Sequence, residues 1–236
     1  MVVSYKVKKL GDNDYKFCKK RSMVSVLKKK ITIIDYGMGN IESLKNAICK
    51  IGCDPNFYSE NNLIKSNIII IPGVGAFNRA SELLSKKKIN EKIIQFSNDK
   101  NNIVIGICLG MQLLFEMGME NGQHQGLGLI KGNTDILSKD DGVRLPNVGW
   151  LKTEIAQTEN FKFLSKFNQE KFYYIHSFKT NPQNETERIG HAYFNNKKFC
   201  SIASNNHNVI GTQFHPEKSG EIGLEFLETI IKHFQN

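Results

Sequence analysis

Cys108 is the residue around which chemistry could be built. It stands in Gly106-Ile107-Cys108-Leu109-Gly110, a G-x-nucleophile-x-G pattern whose glycines let a strand and a helix approach closely around a sharp turn. A thiol on that turn is lifted out of the core, and a helix N-terminus behind it favours the reactive thiolate. A lone cysteine on an apolar strand is otherwise a small buried residue; two glycines at a strand-to-helix change point instead to a nucleophile. Such a group needs a base, and the base needs a group to orient it.

Of the six histidines, His215 is the best placed. It follows the apolar stretch 209–214 and precedes Pro216-Glu217, so the imidazole and a carboxylate two residues on can meet at a strand end. Glu217 could accept from one ring nitrogen and leave the other to the thiol. His176 ends the stretch Tyr173-Tyr174-Ile175 and could line a site or simply pack. His124, His191 and His233 read as surface residues, and His207 lies in an Asn-rich turn. Pro72-Gly73-Val74-Gly75 follows four isoleucines; glycines there would let backbone N–H groups come close to an oxyanion or a carboxylate. Together these are the parts of an acyl-transfer site.

The elements that must position them come from the pattern of apolar residues. Residues 31–35, Ile68–Ile71 and Ile103–Ile107 are short apolar runs suited to strands buried on both faces of a parallel sheet. Helices are expected over 41–51, 78–87, 90–99 and 221–234. The four-residue spacing of Leu109, Leu113 and Met117 predicts a further one over 109–117. A strand is expected at 57–58. The glycine-rich stretch 118–132 reads as loop, and shorter strands at 172–175, 192–194, 201–204 and 209–212 read as an antiparallel edge of the same sheet. The fold class is α/β, a mostly parallel, doubly wound sheet with an antiparallel extension. Gly37 and Gly39 lack the third glycine of a dinucleotide fingerprint, so a tight strand–helix connection explains them as well.

Composition bounds the rest. Hydrophobic residues make up 40% and aromatics 10% of the 236 residues. No apolar run approaches the roughly 20 residues that span a bilayer, and no secretory segment is evident in residues 1–30, so a cytoplasmic protein is expected. Five cysteines, at 18, 49, 53, 108 and 200, show no C-x-x-C pair, which implies reduced thiols and neither structural metal nor cofactor. The net charge of +9 is concentrated in residues 1–30, whose ten Lys/Arg and two Asp/Glu leave residues 31–236 nearly neutral. The expected organisation is therefore a basic extension over 1–30, either disordered or upstream of a start at Met23, and one domain over 31–236. Such an extension is a solvated tail more often than a nucleic-acid arm, so no nucleic-acid or membrane partner is expected.

The motifs GICLGMQLLF at 106–115 and TQFHPEKS at 212–219 resemble those of class I, triad-type glutamine amidotransferases. IDYGMGN at 34–40, IPGVGAF at 71–77, LPNVGW at 145–150 and YIHSF at 174–178 narrow the resemblance to the glutaminase subunits of imidazole glycerol phosphate synthases. It covers Ile31 to the C-terminus and implies the flavodoxin-like fold of that class. It also implies that Cys108 attacks the side-chain amide of glutamine, with His215 as base and Glu217 orienting it. The backbone N–H of Leu109 and one from Gly73, Val74 and Gly75 would hold the oxyanion, while Gln112 and Glu120 would grip the glutamine main chain. The resemblance further implies a (β/α)8 synthase partner that receives ammonia in a heterodimer, for histidine biosynthesis. Trp150 falls in the family's interface segment, although a core aromatic is an equal reading. Asn147 stands where the family has histidine, Leu151 where it has asparagine and Phe178 where it has tyrosine. These departures bear on the partner and keep open a paralogue feeding ammonia to amidino-sugar synthesis. A non-catalytic scaffold is the remaining alternative, against which the intact Cys108, His215 and Glu217 argue.

Overall fold

The computed structural model describes residues 30–138, 140, 143–156 and 159–234. The extension assigned to residues 1–30 lies outside them except for Lys30.

The first half alternates strand and helix. It contains β1 (Ile31–Ile33), α1 (Ile41–Lys50), β2 (Asn56–Phe57), α2 (Glu60–Ile64), β3 (Ile68–Ile71), α3 (Phe77–Lys86), α4 (Ile89–Ser97), β4 (Ile103–Ile107) and α5 (Leu109–Leu113). The second half adds β5 (Phe115–Gly118), β6 (His124–Gln125), β7 (Ile130–Ile136), β8 (Asn147–Lys152), β9 (Glu154–Ile155), β10 (Lys171–His176), β11 (Phe178–Pro182), β12 (Arg188–Phe194), β13 (Lys197–Ser204), β14 (Val209–Thr212) and α6 (Gly220–His233).

The main sheet has the order β2-β1-β3-β4-β14-β13-β12-β9. Pairing is parallel from β2 to β14 and antiparallel from there to β9, as the apolar runs predict. The isoleucine strands are buried on both faces because side chains alternate. Ile68, Ile70, Ile103 and Ile105 pack with α1 and α6, while Ile69, Ile71 and Val104 pack with α3, α4 and α5.

Three expectations are corrected. The helix over 109–117 stops at Leu113, and Phe115–Gly118 is a strand paired with β7. The carbonyls of Leu113, Leu114 and Phe115, which a longer helix would need, accept instead from Leu127, Leu129 and Gly128, so tertiary pairing overrides the period. The stretch 118–132 is not all loop: it holds β6 and the start of β7, which join β5 and β11 in a separate four-stranded sheet of order β11-β7-β5-β6. Finally, the strand expected at 172–175 does not extend the main sheet. As β10 it pairs antiparallel with β8, setting His176 opposite Asn147 and Tyr173 opposite Trp150.

Candidate active site

Strands β3, β4 and β14 are neighbours, and their registers run side by side, Ile71 opposite Gly106 and Ile107 opposite Thr212. The segments that leave their carboxyl ends therefore emerge together: the 72–75 loop, Cys108 and Gln213 to Glu217. Open α/β sheets carry their sites at this end.

Cys108 occupies the turn between β4 and α5 with φ 54° and ψ −108°, a left-handed backbone that L-residues adopt only where the surroundings impose it. Its N–H donates to Thr212 O at 2.7 Å. Gly106 and Gly110 make the turn possible. A Cβ at Gly110 would stand 1.8 Å from Ile71 O, and one at Gly106 would stand 2.6 Å from Gly110 O, so any side chain would force β3, β4 and α5 apart. The sulfur is buried, 3.7 Å from Ile175 O, to which the thiol can donate, and 3.7 Å from Gln213 Nε2.

His215 and Glu217 come from a single turn. Pro216 opens a short 3₁₀ segment, Pro216–Lys218, which brings side chains two residues apart to the same side, with His215 Nδ1 2.8 Å from Glu217 Oε1. Ser219 braces the turn, donating through Oγ to His215 O at 2.7 Å and accepting the Tyr173 N–H at 3.0 Å. Both side chains of the pair are almost wholly buried, at 2% and 5% exposure. Because a carboxylate only accepts, Nδ1 carries the proton. His215 Nε2 is then left buried without a hydrogen-bond partner, as is Glu217 Oε2. Burial, the largest single effect, pushes the imidazole pKa down, but the Cys108 sulfur and the Glu217 carboxylate outweigh it and raise it from 6.5 to about 10. The Cys108 sulfur thus faces the imidazole and interacts with it, in a contact outside ordinary hydrogen-bond geometry.

The loop is packed from beneath. Tyr36, fully buried, donates its hydroxyl to Pro72 O at 2.9 Å, and a Cβ at Gly73 would meet that hydroxyl at 2.6 Å and Leu109 Cβ at 2.8 Å. Gly75 has φ 109°. Val74 is exposed, and a shallow groove lined by Gly37, Gly39, Asn40, Val74 and Lys218 opens beside it. Leu109 begins α5 next to Cys108. Gln112, one turn on, is buried and donates through Nε2 to Phe178 O and to Gln213 Oε1, each at 3.2 Å. Glu120 is half-buried, and its Oε2 accepts from Phe77 N–H at 2.7 Å, capping α3, which has no side-chain cap of its own. It therefore adjoins the Gly75 end of the loop.

Sequence reasoning missed Gln213, named Asn147 only as a departure bearing on the partner, and left His176 between lining a site and packing. Gln213 is fully buried beside the sulfur; a glutamine between Thr212 and Phe214 in a buried stretch was the available signal. Asn147 donates through Nδ2 to His176 Nε2 at 3.0 Å, and His176 Nδ1 donates to Phe178 O at 2.8 Å. Burial holds His176 neutral, its pKa lowered to about 4 despite the Phe178 carbonyl. Tyr36 carried no signal beyond its place in the 34–40 motif. Of the remaining histidines, His191 is less solitary than expected, with Nε2 2.7 Å from Glu154 Oε2, and His233 stacks on Phe163. Trp150 is half exposed and edge-on to Tyr173, so it is not a core aromatic. No helix among the described residues is long and apolar enough to cross a membrane.

The family profile described as "Glutamine amidotransferase class-I" matches residues 32–233. The imidazole glycerol phosphate synthase subunit HisH of Oceanobacillus iheyensis is 38% identical over 84% of this chain and 96% of its own. The chloroplastic imidazole glycerol phosphate synthase hisHF of Arabidopsis thaliana is 31% identical over 95% of this chain but only 38% of its own length. A crystal structure of a glutamine amidotransferase shares the fold, with a TM-score of 0.66 at 14% identity over 86% of this chain and 98% of that one. The chain belongs to the class I glutamine amidotransferases, within the HisH subunits of imidazole glycerol phosphate synthase.

Proposed function

We propose that this chain releases ammonia from glutamine for imidazole glycerol phosphate synthesis in histidine biosynthesis, with Cys108 as nucleophile, His215 as proton carrier and Glu217 as its orienter. One observation carries the reading: adjacent parallel strands deliver a strained, buried cysteine, a buried His–Glu pair and a glycine loop to one place. In the first step the Cys108 sulfur bonds to the side-chain carbonyl carbon of glutamine, and the carbonyl oxygen becomes an oxyanion. Backbone N–H groups of Leu109 and of the 73–75 loop are the donors for that charge. His215 gives its Nε2 proton to the leaving nitrogen, the C–N bond breaks, and ammonia departs from a thioester. Water then attacks the thioester as His215 takes a proton back, which releases glutamate and restores the thiolate. Gln112 and Glu120 are assigned to the glutamine main chain. No step calls for a metal or cofactor.

The partner is a synthase subunit, as the name of the HisH relatives and the greater length of the plant hisHF protein suggest. We assign it a (β/α)8 barrel and a heterodimeric arrangement. Val148 and Trp150, at 56% and 50% exposure on β8, supply an apolar surface for it. Of the three positions that depart from the family pattern, Asn147 is buried, while Leu151 and Phe178 are half-buried. The relatives' shared name favours histidine biosynthesis over the amidino-sugar alternative.

The test is glutamate release by the purified chain with and without the barrel synthase and its nucleotide substrate, with Cys108→Ala as control. Stimulation by that pair, lost in the control, is expected. Activity indifferent to the synthase, or surviving in Cys108→Ala, would refute the assignment.

A further inference from the structure

Gln213 lies just past β14, is fully buried, and is anchored by its own N–H to Ser201 O at 2.8 Å. Its side chain spans two groups of the proposed machinery. Oε1 accepts from Gln112 Nε2 at 3.2 Å, and Nε2 lies 3.7 Å from Cys108 Sγ. We propose that Gln213 is a positioning residue that aims an N–H donor at the Cys108 sulfur while locking the amide of Gln112.

The orientation of both amides follows from a backbone carbonyl. Phe178 O can only accept, so the Gln112 atom 3.2 Å from it must be the NH₂ group. That same NH₂ faces Gln213, whose facing atom must then be its carbonyl oxygen, and the Gln213 NH₂ is left to point at sulfur. His176 Nδ1 donates to the same Phe178 carbonyl, and Asn147 holds the other face of that imidazole. Donation thus converges on Phe178 O from His176 and from Gln112, and runs outward from Gln112 through Gln213 to Cys108.

Two consequences follow. A hydrogen bond to sulfur is stronger for the anion than for the thiol, so it favours the thiolate. With its NH₂ engaged twice, Gln112 offers Oε1, an acceptor suited to the α-ammonium group of glutamine. A buried stretch of apolar neighbours would otherwise favour an apolar side chain, since a buried amide is tolerated only when bonded. This inference rests on the proposed role of Cys108 and Gln112.

The test uses the full chain, alone and with the synthase, carrying Gln213→Glu or Gln213→Met. Glutamate keeps an acceptor for Gln112 but replaces the donor to sulfur; methionine keeps the length and removes both bonds. Carboxamidomethylation of Cys108 by iodoacetamide, located by mass spectrometry, is followed from about pH 5 to about pH 10. The midpoint is expected to rise by about one unit or more in both variants, equivalent to roughly tenfold slower labelling below it. KM for glutamine is expected to rise more in Gln213→Met than in Gln213→Glu. Folded variants with an unmoved labelling midpoint would overturn the proposal, as would failure of both to fold, which would assign Gln213 to packing. Glutaminase that survives Cys108→Ala in a chain with Gln213 intact would overturn the underlying assignment instead, so the two failures are distinguishable.

Discussion

A single methyl group at Gly110 should do more damage than at any exposed helical position. A Cβ there would meet Ile71 O at 1.8 Å and Ile71 C at 2.7 Å, so α5 and the end of β3 must separate by about 1.5 Å to regain ordinary contact. Neither side yields easily. Ile71 is fully buried in the centre of the main sheet, and α5 is tied back by the Gln112 N–H to Cys108 O. In an exposed helix, replacing Gly by Ala gains about 1 kcal/mol; here Gly110→Ala should lose about 3 kcal/mol through overpacking. The displaced segments carry Leu109 and the 72–75 loop, and a shift of about 1 Å in such groups costs about a hundredfold in rate. Urea unfolding and glutamate release in the presence of the synthase would measure the two losses. Gly128→Ala is the control: its φ of 64° imposes strain, but its Cβ meets nothing within 4 Å, so about 1 kcal/mol and no loss of rate are expected. A Gly110→Ala protein as stable and active as wild type would refute the close-approach argument.

Other outcomes follow from the same geometry. Cys108→Gly should be more stable than Cys108→Ala by about 1 kcal/mol, because φ 54° suits glycine, while both lack glutaminase; equal thermal midpoints would remove the claim of strain at the elbow. Glu217→Gln should lower kcat by about 10²-fold to 10⁴-fold, since the imidazolium loses its carboxylate partner, and steady-state kinetics would show it. Stability should be greatest near pH 6.5. Below it, unfolded His176 binds a proton that the folded state resists until about pH 4, so stability falls by up to about 3 kcal/mol as pH drops through that window. Above it, folded His215 keeps its proton to about pH 10 while the unfolded chain loses it near 6.5, so stability falls as pH rises through that window. Denaturation across pH would reveal both slopes, and the alkaline one should shrink in Cys108→Ala. Trp150→Ala, at a half-exposed site, should change stability by no more than about 0.5 kcal/mol yet weaken synthase binding by about tenfold or more, as titration calorimetry would show.

What the sequence disclosed and what it withheld divide along sequence distance. The parallel strands were legible because Ile68–Ile71 and Ile103–Ile107 announce themselves without neighbours, and the His215–Glu217 pair was legible because one short turn makes it. Cys108 could be placed because its two glycines are themselves the cause of the turn. Met117 misled because its four-residue spacing from Leu113 is a local signal, whereas the groups that end α5 come from residues 127–130. Strand β8 was invisible for a similar reason. Only Asn147 of its six residues is buried, so no alternation of apolar residues marks it, and its partner β10 begins only at Lys171, beyond a long intervening segment. Most of the polar links around the sulfur depend on pairings of this kind. Gln112 and Gln213 are 101 positions apart, and Asn147 and His176 are 29 apart. A local motif can thus nominate the groups that exchange protons and bonds. The residues that hold those groups in orientation become visible only when the strands carrying them are adjacent, and a buried amide in an apolar stretch, such as Gln213, is the trace they leave in the sequence.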